Sequence, residues 1–206
     1  MIPMSDAEHL MRQVGMGKLV DSSAARSMGA DDIRRDGAMD KADFGHLYLR
    51  YRDPVFRYVR RLSRSEDEAA DLTALTFERA LAKLHTYRGD GAGFAPWLFR
   101  IARNQAWDAR RRTRSWLPIQ LLGMARHPHE ASTPEGSVLR RESIGQVSRY
   151  LDELSELERD CLLLRYGAGL TAREIGLVIG RSDEATQKLM RRALAKLKEK
   201  YRGTHT

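Results

Sequence analysis

A single cysteine, Cys161, rules out a disulfide within the chain and suits a reducing compartment. No apolar run approaches the ~20 residues of a membrane-spanning helix. The start of the chain also lacks a signal-peptide pattern, so a soluble cytoplasmic protein without membrane insertion is expected. No nucleophile–base pair or phosphate loop of recognised spacing appears, so no catalytic residue and no cofactor is expected. The one close histidine pair, His127-Pro128-His129, has only Glu130 beside it and no nearby cysteine, so no metal is expected either. Segment 165–171, RYGAGLT, reads as a helix terminus and not a phosphate cradle. Strand pairs are missing throughout, and the fold class expected is all-α.

What the chain does have is charge. The formal net charge is +8, which favours a polyanionic partner. Charged residues of both signs make up 31% of the 206 residues, so this is not a simple basic tail.

Residues 1–40 lack sustained periodicity and read as a flexible extension. From Phe44 the apolar positions Phe44, Leu47, Tyr48, Tyr51, Val55, Val59 and Leu62 fall at three- and four-residue steps, with Asp53-Pro54 set to kink or restart the helix. Ser65 and Glu68 form a capping box for a second helix running to about His85, with Ala69, Leu72, Phe77, Ala80, Leu81 and Leu84 inward. After a glycine-rich loop, Pro96 opens a third helix running to about Arg112. These helices make a first domain over 41–114. Residues 115–137 form a proline- and glycine-containing linker with apolar patches that dock on something. A second domain over 138–202 begins with a helix carrying Ile144, Val147, Leu151 and Leu154. Ser155 and Glu158 then cap a helix with Leu157, Cys161 and Leu164 inside.

Two elements carry function. The stretch LTAREIGLVIGRSDEATQKLMRRALAKL, 170–197, reads as two helices and a tight turn. Thr171 and Glu174 form a capping box, Gly180 supplies a left-handed helix end, and Ser182 caps the second helix. The inward stripe of that helix is Thr186, Met190, Ala193 and Leu197. Gln187, Lys188, Arg191, Arg192 and Lys196 point outward. This is the pattern of a helix-turn-helix whose second helix enters a major groove, weighed against an ordinary helical hairpin with a solvated basic face. The second element is the third helix, where Arg100, Arg103, Trp107, Arg110, Arg111 and Arg114 recur as a stripe. Guanidinium groups neutralise phosphates and an indole can stack on an unpaired base. Trp107 packed on arginine stems is the equal alternative. On a neighbouring stripe, Trp97 and Ile101 read as core. Asn104 can read a base edge through its carboxamide or make a local hydrogen bond.

The runs FGHLYLRYRDPVFRYVRRL, DEAADLTALTFERAL and YRGDGAGFAPWLFRIARNQAWDARRR resemble region 2 of a group IV, or extracytoplasmic function, bacterial sigma factor. LSELERDCLLLRYGAGLTAREIGLVIGRSDEATQKLMRRALAKLKE resembles region 4 of the same family. The resemblance implies a dissociable subunit of core RNA polymerase. Region 2 would read and melt the minus-ten element, and region 4 would read the duplex minus-thirty-five element. The loop from Tyr87 through Arg88, Gly89 and Asp90 to Phe94, with Asn104, would hold a flipped non-template base. Arg100, Arg103, Arg110 and Arg111, with Trp107 among them, would engage the melted strand. Ser182, Glu184, Ala185, Gln187, Lys188, Arg191 and Arg192 would lie near minus-thirty-five DNA, with Ser182 at a phosphate-favouring helix start. Asp71, Leu72 and Phe77 would bind polymerase, although Ala74 and Leu75 replace the polar pair common there. Thr186 and Leu189 also depart from the family's recognition helix. An anti-sigma factor is a further partner the resemblance implies. A stand-alone helix-turn-helix regulator and an enzyme with an appended DNA-binding domain are the alternatives. The stripe on the third helix argues against the first, and the missing catalytic constellation against the second.

Overall fold

The computed structural model describes residues 41–87, 93–116, 151 and 153–204, and the chain divides into two compact units. Every regular element among the described residues is helical. The extension over 1–40, the residues Arg88, Gly89 and Asp90, the linker with its histidine pair, and the helix over Ile144 and Val147 lie outside them.

The first unit contains α1 (Lys41–Arg60), α2 (Glu66–Ala82), a 3₁₀ turn (Leu84–Thr86) and α3 (Phe94–Trp116). Each helix packs on the other two. The interior forms where Val55, Tyr58 and Val59 of α1 meet Ala69 and Ala80 of α2 and Leu98, Phe99 and Ala102 of α3, all fully buried. Small alanines let the backbones approach, and the Tyr58 and Phe99 rings meet edge to face with centroids 5.8 Å apart. Phe77 of α2 closes one end against Phe44 and Tyr48.

Several expectations change here. Pro54 neither splits nor restarts α1, which runs through it as one helix. Tertiary packing of Tyr51, Val55, Tyr58 and Val59 holds both sides of the missing amide in place. The capping box at Ser65 is only half formed. Ser65 Oγ accepts from the Glu68 amide at 3.0 Å, but the Glu68 carboxylate takes the amide and guanidinium of Arg64 instead. The second helix ends at Ala82, short of His85, and the chain tightens into the 3₁₀ turn, with Thr86 Oγ1 donating to Lys83 O at 2.7 Å. Leu81, expected inside, is 43% exposed, and Tyr48 lies at the rim with 41% exposed. The third helix continues past Arg112 to Trp116.

The second unit contains α4 (Glu156–Leu162), a π-turn (Leu163–Gly167), α5 (Ala172–Ile179) and α6 (Asp183–Thr204). Complete capping boxes start α4 at Ser155/Glu158 and α5 at Thr171/Glu174. Each removes orphan amides at a helix start, worth about 1 kcal/mol. Cys161, Leu162, Leu164, Leu170, Ile175 and Leu197 form the core, so the cysteine is a packed apolar side chain. The α5–α6 turn is tight because Gly180 adopts φ 69° and ends α5. Gly176 lets the turn backbone lie against α5, since a Cβ there would stand 2.6 Å from Arg181 O.

Candidate nucleic-acid interfaces

In the first unit the candidate surface is built on α3 and the segment before it. Gly93 has φ 80° and turns the chain into α3. Phe94 is buried and acts as a hub, with ring centroids 5.7 Å from Tyr51, 5.6 Å from Tyr87 and 5.3 Å from Trp97. Tyr87 and Trp97 also meet directly at 5.4 Å and are both half-buried. The aromatic faces offered to a ligand are therefore Tyr87 and Trp97, and Phe94 supports them from below. Asn104 lies about two turns along α3 on the same side as Trp97 and Ile101, and is exposed. Arg100 beside it is exposed as well.

Trp107 is a correction. Its indole is only 2% exposed, with the Arg110 guanidinium 5.6 Å above the ring, so it is a core residue and not a stacking platform. Periodicity places it half a turn from the buried Leu98, on the apparent outside, and tertiary packing buries it regardless. Of the arginines, Arg103 and Arg110 are half-buried. Arg111 is exposed but holds Asp108 at 2.6 Å, one turn back on the helix. Trp97 and Ile101, read as core, are half-buried and thus part of the surface.

The polymerase-binding set also changes. Asp71 is exposed, but Leu72 and Phe77 are 7% and 4% exposed and belong to the interior. They shape α2 and cannot offer their side chains to a partner. The other exposed positions on α2 from Glu66 to Arg79 are Glu66, Asp67, Ala70, Ala74, Glu78 and Arg79, so the outer surface around Asp71 is mostly acidic, with a cation at Arg79.

In the second unit the outer face of α6 forms as expected. Glu184, Gln187, Lys188, Arg191 and Arg192 are exposed or nearly so, and Ala185 is half-buried. Ser182 caps the helix, its hydroxyl accepting from the Ala185 amide at 3.2 Å. Thr186 is fully buried, and its hydroxyl donates to Ser182 O at 2.8 Å, which accounts for a polar residue at that inward position. Leu189 is half-buried at the edge of the outer face.

One residue read as outward-facing has a different role. Lys196 Nζ lies 2.8 Å from Oε1 and 2.9 Å from Oε2 of Glu158 on α4. Burial of the Glu158 carboxyl works to raise its pKa, but hydrogen bonds from Lys196 and Ser155 outweigh burial and hold it below the usual glutamate value. Sequence alone marked Glu158 only as half of a capping box. The 38-residue separation from Lys196 hid the pairing.

Residues 47–116 match the Sigma-70 region 2 family and residues 150–199 the Sigma-70, region 4 family. Among curated proteins the chain is 33% identical over 177 residues to the ECF RNA polymerase sigma factor BldN of Streptomyces coelicolor, covering 86% of this chain and 66% of that protein. It is 30% identical to the RNA polymerase sigma-H factor of Pseudomonas aeruginosa, covering 68% and 76% of the two chains. Against the ECF sigma factor SigM of Bacillus subtilis the identity is 28%, covering 75% and 93%. Among solved structures, sigma factor RpoE in complex with the anti-sigma factor NepR from Bartonella quintana shares the fold with TM-score 0.58 at 23% identity, covering 78% and 97%. CnrH in complex with the cytosolic domain of CnrY gives TM-score 0.58 at 24% identity, covering 87% and 95%. No helix among the described residues is long and apolar enough to cross a membrane.

Proposed function

The chain belongs to the ECF group of sigma-70 RNA polymerase sigma factors, and on that premise we propose which of its residues carry promoter recognition. It is a transcription initiation factor, not an enzyme, and acts with core RNA polymerase on promoter DNA. The first domain, 41–114, melts and reads the minus-ten element, and the second, 138–202, reads the minus-thirty-five element, with 115–137 as the linker between them. Its place of action is the cytoplasm, where polymerase and promoter meet.

The observation that carries the minus-ten assignment is the grouping of exposed Asn104 with half-exposed Trp97 and Tyr87 along one side of α3. A base leaving the duplex loses a few kcal/mol of stacking and pairing. An aromatic surface replaces the stacking, and a carboxamide with a donor and an acceptor replaces part of the pairing. Arg88, Gly89 and Asp90, which lie outside the described residues, are part of the same proposed base-holding set. Arg100, Arg103, Arg110 and Arg111 follow the melted strand. On α6, Lys188, Arg191 and Arg192 meet phosphates, and Glu184, Ala185 and Gln187 face base edges. Asp71 and its acidic neighbours on α2 form the polymerase contact, held in place by Leu72 and Phe77 beneath. An anti-sigma factor, as in the Bartonella quintana complex, is the proposed inhibitor.

Run-off transcription with purified core polymerase and a genomic promoter library tests this reading. Promoter-specific transcripts that require the chain are expected. No stimulation on any fragment would sink it.

A further inference from the structure

The recognition helix carries more cations than it offers to DNA. Lys188, Arg192 and Lys196 succeed one another at four-residue steps, about 12 Å from first to last along the helix axis. Each step drifts about 40° around the helix. Lys188 and Arg192 therefore stand on the outer face, and Lys196 on its flank toward α4. There its ammonium is 2.8 and 2.9 Å from the two oxygens of Glu158. The two partners are unlike: the Lys196 side chain is 50% exposed, that of Glu158 only 3%.

Glu158 is itself immobilised. Its carboxylate accepts from the Ser155 amide at 3.1 Å and the Ser155 hydroxyl at 2.9 Å, and its own amide donates to Ser155 Oγ at 3.3 Å. Arg159 beside it reaches back to Leu151 O at 2.8 Å. The lysine is therefore tied to a fixed point of the scaffold. A partnered, mostly buried carboxylate also keeps its hold on a lysine better than an exposed one. A second tie, Lys200 to Glu153 at 2.8 Å, repeats the arrangement one turn further along but is exposed at both ends.

We propose that Glu158 is a positioning residue for minus-thirty-five reading, holding Lys196 out of the phosphate-contact set so that DNA engagement is confined to the first half of α6. The inference rests on the assignment of the outer α6 face to DNA. A lysine released from Glu158 lies next in line after Arg192 and reaches a further phosphate. Binding then becomes stronger at low salt, more salt-dependent and less selective, because a phosphate contact adds affinity without sequence information.

The full-length chain is titrated against a fluorescein-labelled duplex of arbitrary sequence, by anisotropy, between about 50 and 200 mM salt. Each phosphate contact adds about 0.9 to the slope of log K against log salt. Glu158→Gln keeps an amide oxygen for the Ser155 cap but loses the charge that holds Lys196. Its slope is expected to steepen by about 0.9, an additional loss of about 3.5-fold in affinity across that salt range. Lys196→Met leaves the cap intact and should keep the wild-type slope, and the double variant should return to it. A purely structural role for Glu158 would shift affinity at all salt concentrations and leave the slope alone. An unchanged Glu158→Gln slope, or a Lys196→Met slope shallower by about 0.9, overturns the proposal. Arg191→Ala reports on the face assignment and should be shallower by about 0.9. If it is unchanged, the assignment falls and the proposal with it. If it shifts while Glu158→Gln does not, the proposal alone falls.

Discussion

Replacing Gly176 by alanine isolates the closeness of the α5–α6 turn. The added Cβ would stand 2.6 Å from Arg181 O and 3.1 Å from Thr186 Oγ1. The first neighbour is backbone and the second is fully buried and bonded to Ser182 O, so neither can swing aside. Relief requires the turn to move by about half an ångström or more, straining the Arg181 amide bond to Gly176 O, now 2.9 Å. Overpacking of this kind costs about 1–3 kcal/mol, and weakening the hydrogen bond adds about 0.5–1.5 kcal/mol. Alanine's better helix propensity returns about 1 kcal/mol. The net expectation is a loss of about 2 kcal/mol from the second unit. Hydrogen exchange of α5 and α6 amides in the full chain would read it as roughly 30-fold faster opening there, with α1–α3 amides unchanged. Gly45→Ala is the matched control. Gly45 is exposed in α1 and a methyl group added there would meet nothing within 4 Å, so a gain of about 0.5–1 kcal/mol is expected. Unaltered or slower exchange in Gly176→Ala would refute the steric reasoning.

Three further outcomes are expected. Gln105 is 3% exposed and donates to Thr76 Oγ1 at 3.4 Å, but its Oε1 has no hydrogen-bond partner among the described residues. Gln105→Leu should therefore be neutral or stabilising by up to about 1 kcal/mol, and a drop in melting temperature of several degrees would contradict this. The folded-state pKa of Glu158 lies below its ordinary value of 4.5, so the carboxylate's contribution is complete above that value and fades as pH falls through the lower folded value. Stability of the second unit should drop with acidification below pH 4.5, less steeply in Glu158→Gln, and equal slopes would count against the pairing. Asn104→Ala should reduce promoter opening, read by permanganate footprinting, while polymerase binding in pull-downs persists. Lost polymerase binding would remove Asn104 from the minus-ten role.

The helix-turn-helix was legible in the sequence because its signals are local. Thr171, Glu174, Gly180 and Ser182 act within one helical turn of themselves, and each forms the cap expected of it. The half-formed box at Ser65 shows the limit, because Arg64 competes for the same carboxylate and nothing in the spacing says which amide wins. Misreadings arose where distant chain decides. Trp107 sits at an outward helical angle yet is buried, Leu81 sits at an inward one yet is exposed, and Lys196 lies on a basic stripe yet answers to an acid on another helix. Tyr58, fully buried at the heart of the first unit, stands three residues after Val55 and four before Leu62, so it belongs to the apolar series that left it out.

The π-turn at Leu163–Gly167 bears on how the second unit tolerates changes in length. A turn closed from i to i+5 holds one residue more than an α-turn. Around it, Arg165 Nη1 donates to Leu170 O and the Leu170 amide to Leu164 O, both at 3.1 Å, fastening the widened coil to the start of the next segment. Elsewhere in these helices a one-residue deletion rotates everything downstream by about 100° and turns the outer side chains away. Within the π-turn the same deletion restores ordinary α-geometry at the end of α4, ahead of the non-helical residues 168–171 that lead into α5. This short stretch is thus where a one-residue deletion is absorbed at a helix end and not passed on along a helix.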